Sequence, residues 1–213
     1  LGQGTVTDDA DGEVARTPGW EWDPAGLSTA ITRLTGDIQQ VPSAVSAVKV
    51  NGVRSYARVR AGEDVTLAAR PVHIARFEVS GQPRIEGNHV DLDVVVKCSS
   101  GTYVRALARD LGVRLGSAAH LTALRRTAVG PIGVGECAHL GQEPPPVVSA
   151  EDLVSRVLPV LAVSDEEGAA LRNGQRLHVN AGDGTYVVLV AGQWQSVVAV
   201  TDGQTRIEVN APG

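Results

Sequence analysis

Cys98-Ser-Ser-Gly-Thr-Tyr-Val-Arg-Ala-Leu-Ala-Arg-Asp-Leu-Gly112 sets the frame for the rest of this 213-residue chain. Ahead of it, Val90-Asp-Leu-Asp-Val-Val-Val-Lys97 alternates and then runs apolar, the pattern of a strand entering a core. Ser99, Ser100, Gly101 and Thr102 offer turn and helix N-cap chemistry together. From Tyr103, apolar residues recur at helical spacing (Val104, Leu107, Ala108, Leu111), and Gly112 fits a C′ stop. The spacing predicts a strand handing over to a helix, with Tyr103 and Arg105 in the helix's first turn. On pattern alone the ordinary reading, a strand-to-helix junction bearing an exposed arginine, is the favoured one.

Outward from this junction, residues 72–79 read as the partner strand of 90–98. Leu1-Gly-Gln-Gly-Thr-Val-Thr-Asp-Asp-Ala-Asp-Gly-Glu-Val14 reads as strand, acidic turn, strand, with Asp11-Gly12 a hairpin signal. Its acidic cluster departs from a calcium loop, since Thr7 holds the first ligand position and Pro18 the place of the bidentate Glu. Asp23-Pro24 or Ser28 opens a helix through Leu27, Ala30, Ile31 and Leu34, ended by Gly36. Leu121 and Leu124 are expected to face a core, with Arg125 and Arg126 outward. His120 reads as a hydrogen-bonded structural histidine. Cys98 and Cys137 have no metal spacing and are too few for a disulfide framework.

Gln142-Glu-Pro-Pro-Pro-Val-Val148 reads as a linker. Beyond it, Ser149 and Ser164 cap short helices, and residues 177–179, 185–190, 196–201 and 205–209 are Val-rich strands with Gly at the turns, a small barrel-like module. Net charge is −5, unevenly spread. Residues 49–126 hold thirteen basic against seven acidic residues; 1–48 hold two against seven, and 127–213 four against ten. A basic middle between acidic ends points to an anionic partner there. Lys49, Arg54, Tyr56, Arg58, Arg60 and Arg70 form a basic segment carrying an aromatic, the composition for phosphate contact with base stacking; a solvated charged loop has the same composition. One strand face could present Arg54, Tyr56, Arg58 and Arg60, and a helix would spread them. No run has transmembrane length and no signal peptide is evident, so a cytoplasmic protein is expected. Because it starts at Leu1 inside a strand pattern, the chain reads as a piece of a longer protein.

No nucleophile elbow, Walker loop, GxGxxG or zinc spacing occurs. The chemically plausible group is Tyr103, Arg105, Leu124 and the basic segment. An arginine keeps a neighbouring carboxylate ionised and in place, and an aromatic stacks on a base removed from its helix. No catalytic carboxylate is identifiable beside them.

At these residues the sequence closely resembles bacterial TruB-type tRNA pseudouridine synthases, over most of residues 1–130. Leu1-Gly-Gln-Gly-Thr-Val-Thr-Asp-Asp-Ala-Asp-Gly12 is similar to the family's L-G-x-x-T-x-T-x-D-x-x-G segment. Gln40-Val-Pro-Ser-Ala-Val-Ser-Ala-Val-Lys49, through Gly52, Tyr56, Arg60 and Gly62, resembles its RNA-gripping thumb, with Val45 where the family has Tyr. Ser100-Gly-Thr-Tyr-Val-Arg105 with Asp110-Leu-Gly112 resembles G-T-Y-[IV]-R, and His120 to Arg126 resembles H-x-x-x-L-R-R. The tail looks like the family's PUA-like domain.

The resemblance implies an α+β pseudouridine synthase core with a mixed, largely antiparallel sheet and flanking helices, followed by a small PUA-like β-barrel. It implies a core over 1–141 with the thumb at about 40–70, a linker at 142–148 and a C-terminal domain over 149–213. The implied activity is isomerisation of uridine 55 in the T-arm of tRNA, carried by a carboxylate without metal or cofactor. Arg105 would pair with the nucleophilic Asp, Tyr103 would contact the flipped base and Leu124 would pack beside the uracil. Lys49, Arg54, Tyr56, Arg58, Arg60, Arg125 and Arg126 would bind RNA. The family's nucleophile lies in G-x-L-D-P-x-A-x-G, expected upstream of Leu1. Asp23-Pro24-Ala25-Gly26 lacks the preceding G-x-L and matches a helix start. This chain alone is therefore expected to be inactive, and a monomer. A non-catalytic RNA-binding or RNA-folding fragment is the alternative, and the acidic tail also suits a protein-interaction module.

Overall fold

The structure is a computed structural model that describes residues 1–43, 49–50, 53–54, 67–141 and 147–211. It divides into two compact units, Leu1–Leu124 and Arg125–Gly213, the division falling ahead of the Pro-rich 142–148 stretch. Tyr56, Arg58 and Arg60 lie outside the described residues.

In the first unit, β1 (Gly4–Thr5) pairs antiparallel with β2 (Val14–Arg16), closing the acidic turn expected between them. Helix α1 (Pro24–Thr32) is capped by Asp23, whose Oδ1 accepts from the backbone N–H groups of Ala25 and Gly26 at 3.1 and 3.0 Å, with Pro24 next in the first turn. Asp23 is thus a helix cap, in line with the sequence reading. The three-stranded antiparallel sheet has β6 (Arg70–Glu86) at its centre, β3 (Gly36–Gln40) on one side and β7 (His89–Cys98) on the other. Two further strands, β4 (Lys49–Val50) and β5 (Val53–Arg54), pair Lys49 with Arg54.

Strands β6 and β7 pair as expected but run well beyond the apolar core segments, joined by a two-residue turn at Gly87 and Asn88. A bulge between Ile74 and Arg76 shifts the alternation of β6, so Val72 and Ile74 face the core ahead of it and Phe77 after it. Against this face sit Leu27, Ala30 and Leu34 within and after α1, and Leu107 and Leu111 of helix α2 (Val104–Arg114). Full burial of each such leucine is worth about 1.5–3 kcal/mol.

Two details of the junction differ from expectation. Gly112 does not end the helix; it lies inside α2, where a Cβ would stand 2.4 Å from the Ala119 nitrogen. The stop is Gly116, at φ +66°, in a Schellman motif: Gly116 N–H bonds the Val113 carbonyl and Ser117 N–H the Gly112 carbonyl, at 3.1 and 2.9 Å. The N-cap is Tyr103, and none of the Ser99, Ser100 or Thr102 hydroxyls caps the helix. Ser99 instead extends the β6–β7 ladder, its N–H bonding the His73 carbonyl at 2.8 Å and its Oγ accepting from His73 N–H at 3.0 Å.

The second unit begins with the short pair β8 (Ala128–Val129) and β9 (Ile132–Gly133). Helix α3 (Ala150–Val157) is capped by Ser149, and α4 (Asp165–Arg172) by a capping box of Ser164 and Glu167. Its sheet runs β10 (Val160–Leu161), β11 (Gly184–Val190), β12 (Gln193–Thr201), β13 (Gln204–Asn210), parallel only between β10 and β11. Residues 177–179, expected as a strand, contribute a single bridge, His178 to Gln204. Among the described residues this sheet stays open, so the expected closed barrel is met as a four-stranded sheet over a Leu161, Leu171, Val188, Val198 and Val200 core. The chain is α+β throughout.

Candidate active site

Three segments of the first unit meet at the start of α2. The first is the turn after β7. Gly101, at φ +80°, turns the chain, and Tyr103 follows in extended conformation before the helix begins. With no hydroxyl cap, Tyr103 N–H is satisfied from a distance: it bonds Oε1 of Gln40 at 2.8 Å, and Nε2 of Gln40 donates to the Tyr103 carbonyl at 3.2 Å.

The second segment is the acidic turn between β1 and β2. Asp8 sits at φ +61°, a left-handed conformation that Asp tolerates better than most residues. Arg105 and Arg109 are one helical turn apart on α2 and so share a face. Arg105 Nη1 meets Asp9 Oδ2 at 2.7 Å, and Arg109 Nη1 meets Asp8 Oδ2 at 3.2 Å. Arg109 also pairs with Asp110 at 2.8 Å and donates to the Val41 carbonyl at 2.7 Å.

Asp9 is the carboxylate that sequence reasoning missed beside Arg105. The signal was present in Thr7-Asp8-Asp9, two acids in a turn, and in an arginine pair spaced i, i+4. Both its oxygens are engaged: Oδ1 accepts from Thr7 Oγ1 at 2.6 Å and from Asp11 N–H at 3.1 Å, and Oδ2 holds Arg105. The Asp9 side chain is 13% exposed and that of Arg105 46%. A carboxylate so occupied and sheltered anchors its partner; it is poorly placed to attack a substrate. Among the described residues Arg105 has no other ion-pair partner, and its exposed guanidinium keeps N–H donors in a planar array suited to a second carboxylate.

Burial pushes the Asp8 carboxyl up from its ordinary value of 3.8, against the pull of a Ser43 hydrogen bond and the Arg109 charge.

The third segment is 118–124. Leu121 N–H bonds the Asp8 carbonyl at 3.0 Å, and His120 donates from Nδ1 to the Gln3 carbonyl at 3.0 Å, the structural role expected of it. Leu124, expected to face a core, is 65% exposed. Leu121 is half-buried, and Arg125 and Arg126 are exposed. Tyr103, Arg105 and the acidic turn are thus brought together, with Lys49 and Arg54 facing each other across β4 and β5 by backbone register.

Among the described residues, no cluster of His, Cys, Asp and Glu could hold a metal, and no helix is long and apolar enough to cross a membrane. Both cysteines are free thiols, Cys98 half-buried and Cys137 exposed.

Residues 1–104 match the family described as "TruB family pseudouridylate synthase (N terminal domain)". A protein of Arthrobacter sp. (strain FB24) named "tRNA pseudouridine synthase B" is 50% identical over 189 residues, covering 87% of this chain and 62% of that one. A protein of the same name from Corynebacterium aurimucosum is 46% identical over 212 residues, 97% of this chain and 70% of that one. The chain thus spans about three fifths of the length of the Arthrobacter relative. A chain of the solved "Crystal Structure of a Cbf5-Nop10-Gar1 Complex" shares the fold, with TM-score 0.57 at 20% identity, over 90% of this chain and 62% of that chain. With 46% identity to the Corynebacterium protein across nearly its whole length and 70% of that relative covered, the chain belongs to the TruB family of pseudouridylate synthases.

Proposed function

We propose that the complete protein isomerises uridine 55 in the T-arm of tRNA to pseudouridine, using an aspartate nucleophile supplied outside these 213 residues. The observation that carries this reading is the Arg105–Asp9 pair at the head of α2. A guanidinium fixed on one side and open on the other is prepared to orient a second carboxylate. Tyr103, two residues before it, is the contact for a base flipped out of its stack. Leu124, exposed on the third segment, is the apolar wall beside the uracil. Lys49, Arg54, Tyr56, Arg58 and Arg60, and separately Arg125 and Arg126, are the RNA contacts.

In this chemistry the nucleophilic carboxylate drives cleavage of the C1′–N1 glycosidic bond, the uracil rotates, and it rejoins the ribose through C5, which loses its proton while N1 gains one. Nothing is oxidised or reduced, and no cofactor is required. Arg105 keeps the nucleophile ionised and aimed, and Asp9 keeps Arg105 in place. The second unit is read as a PUA-like domain, and the protein as a cytoplasmic monomer.

The test is release of tritium from [5-³H]uridine-labelled tRNA, measured with this chain and with the chain extended at its N-terminus to the relatives' full length. Turnover by the extended form and none by the 213 residues is the expected result. Binding of tRNA without turnover by either form would replace the reading with a non-catalytic RNA-binding protein.

A further inference from the structure

Gln40 is the last residue of β3, 1% exposed, and carries an uncharged amide into the interior of the first unit. A leucine or methionine would fill this space without the cost of burying polar atoms. Both ends of the amide are matched to one backbone unit 63 residues away. Oε1 accepts from Tyr103 N–H at 2.8 Å, and Nε2 donates to the Tyr103 carbonyl at 3.2 Å. This reproduces the two-bond exchange of an antiparallel ladder, with a side chain standing in for one strand.

Tyr103 has special need of such a partner. As N-cap residue, its N–H has no acceptor within the helix and no side-chain cap relieves it. Its φ and ψ, −100° and +100°, lie outside the helical well, so the helix does not fix the direction of its side chain. The next residue along, Val41, receives Arg109 at its carbonyl at 2.7 Å, which ties the same end of β3 to the second turn of α2.

We infer that Gln40 is a positioning residue, which clamps the Tyr103 backbone and so sets where the ring stands relative to the Arg105–Asp9 pair. It touches neither base nor nucleophile, and its catalytic effect rests on the proposed role of Tyr103. Misplacement of a substrate-contacting group by about an ångström can cost on the order of 10²-fold in rate.

The experiment uses the full-length protein with Gln40→Met, which keeps the shape and loses both bonds, and Gln40→Glu, which keeps the acceptor and, in its ionised form, loses the donor. Amide hydrogen exchange is read at Tyr103, and single-turnover isomerisation is read at saturating tRNA beside tRNA affinity. Gln40→Met is expected to raise exchange at Tyr103 at least about tenfold while the buried Ile74 and Leu111 stay protected. It should slow the single-turnover rate by on the order of 10- to 100-fold with tRNA affinity within about twofold. Gln40→Glu should keep Tyr103 protected and lose rate by a smaller factor. Unchanged exchange in Gln40→Met overturns the clamp, and raised exchange with undiminished rate overturns its positioning role. If Gln40→Met loses protection throughout the core, Gln40→Glu decides: a rate equal to the unsubstituted protein overturns the proposal. Full turnover by Tyr103→Phe would remove the ring hydroxyl from the reading while the exchange result still judged the clamp. Absence of turnover in the unsubstituted full-length protein would count against the synthase reading alone.

Discussion

Arg105 is held by Asp9, a sheltered carboxylate with both oxygens engaged. In the full-length protein, Arg105→Ala should abolish isomerisation while tRNA binding survives, because the role proposed for the guanidinium is to hold carboxylates and not phosphates. Parallel loss of binding in a filter assay would sink that role. Asp9→Asn keeps the size and loses the charge that anchors Arg105. Its expected effect is a fall of on the order of 10- to 100-fold in single-turnover rate with some activity left, since the arginine remains. An undiminished rate would refute the anchoring role of Asp9. Asp8 makes a prediction of opposite sign to most carboxylates. Its carboxyl is raised above 3.8 by burial, so the folded state holds that proton over a window where the unfolded chain has lost it. Stability from this group is therefore present below 3.8 and declines as pH rises through the raised folded value. Asp8→Asn should remove that component, seen as an altered difference in melting temperature between the two proteins across the acid range. A constant difference would refute it.

Helix α2 shows how an element's ends are set by its neighbours. Its apolar periodicity was legible in Val104, Leu107 and Leu111, and the paired strands before it were legible in their alternation. The position of its stop was not. Gly112 and Gly116 are both glycines near the end of a helical pattern, and sequence offers no means of telling a close approach from a left-handed turn. The structure assigns the first to Gly112, where the 118–119 backbone passes, and the second to Gly116. The two should respond differently. Gly112→Ala forces backbone apart and should cost about 1–3 kcal/mol by chemical denaturation, with movement of the 118–124 segment. Gly116→Ala meets open space and pays only for its φ, about 1–2 kcal/mol. Site function should follow the first and not the second. Equal loss of turnover in both variants would argue that Gly112 has no special tie to the site.

Over the whole chain, charge is segregated: the basic excess lies in 49–126, and acidic excess on either side. If the basic segment binds RNA through phosphates, replacing Arg58 and Arg60 with alanine should weaken tRNA binding. It should also flatten the salt dependence by about 0.7–0.9 in log–log slope for each phosphate no longer neutralised. Fluorescence titrations at several salt concentrations give this slope, and an unchanged value would rule out phosphate binding by these arginines. Helix α4, with Asp165, Glu166 and Glu167 in its first turn, should contribute nothing to the slope, so neutralising those acids would leave it as it was.

Local and periodic features were readable from sequence because they depend on near neighbours: capped helices, paired strands, turn glycines, and the motifs that carry the family resemblance. Asp23 as a helix cap and His120 as a structural histidine belong to this class. What only the tertiary structure decided is which distant polar groups satisfy one another. Asp9 reaches Arg105 across 96 positions, and Gln40 reaches Tyr103 across 63. Neither pairing leaves a periodic trace, since each follows from where the sheet delivers β3 and from how the Asp8 backbone turns. Sequence therefore showed the turn at Tyr103 and Arg105, and folding supplied the partners that hold both residues in place.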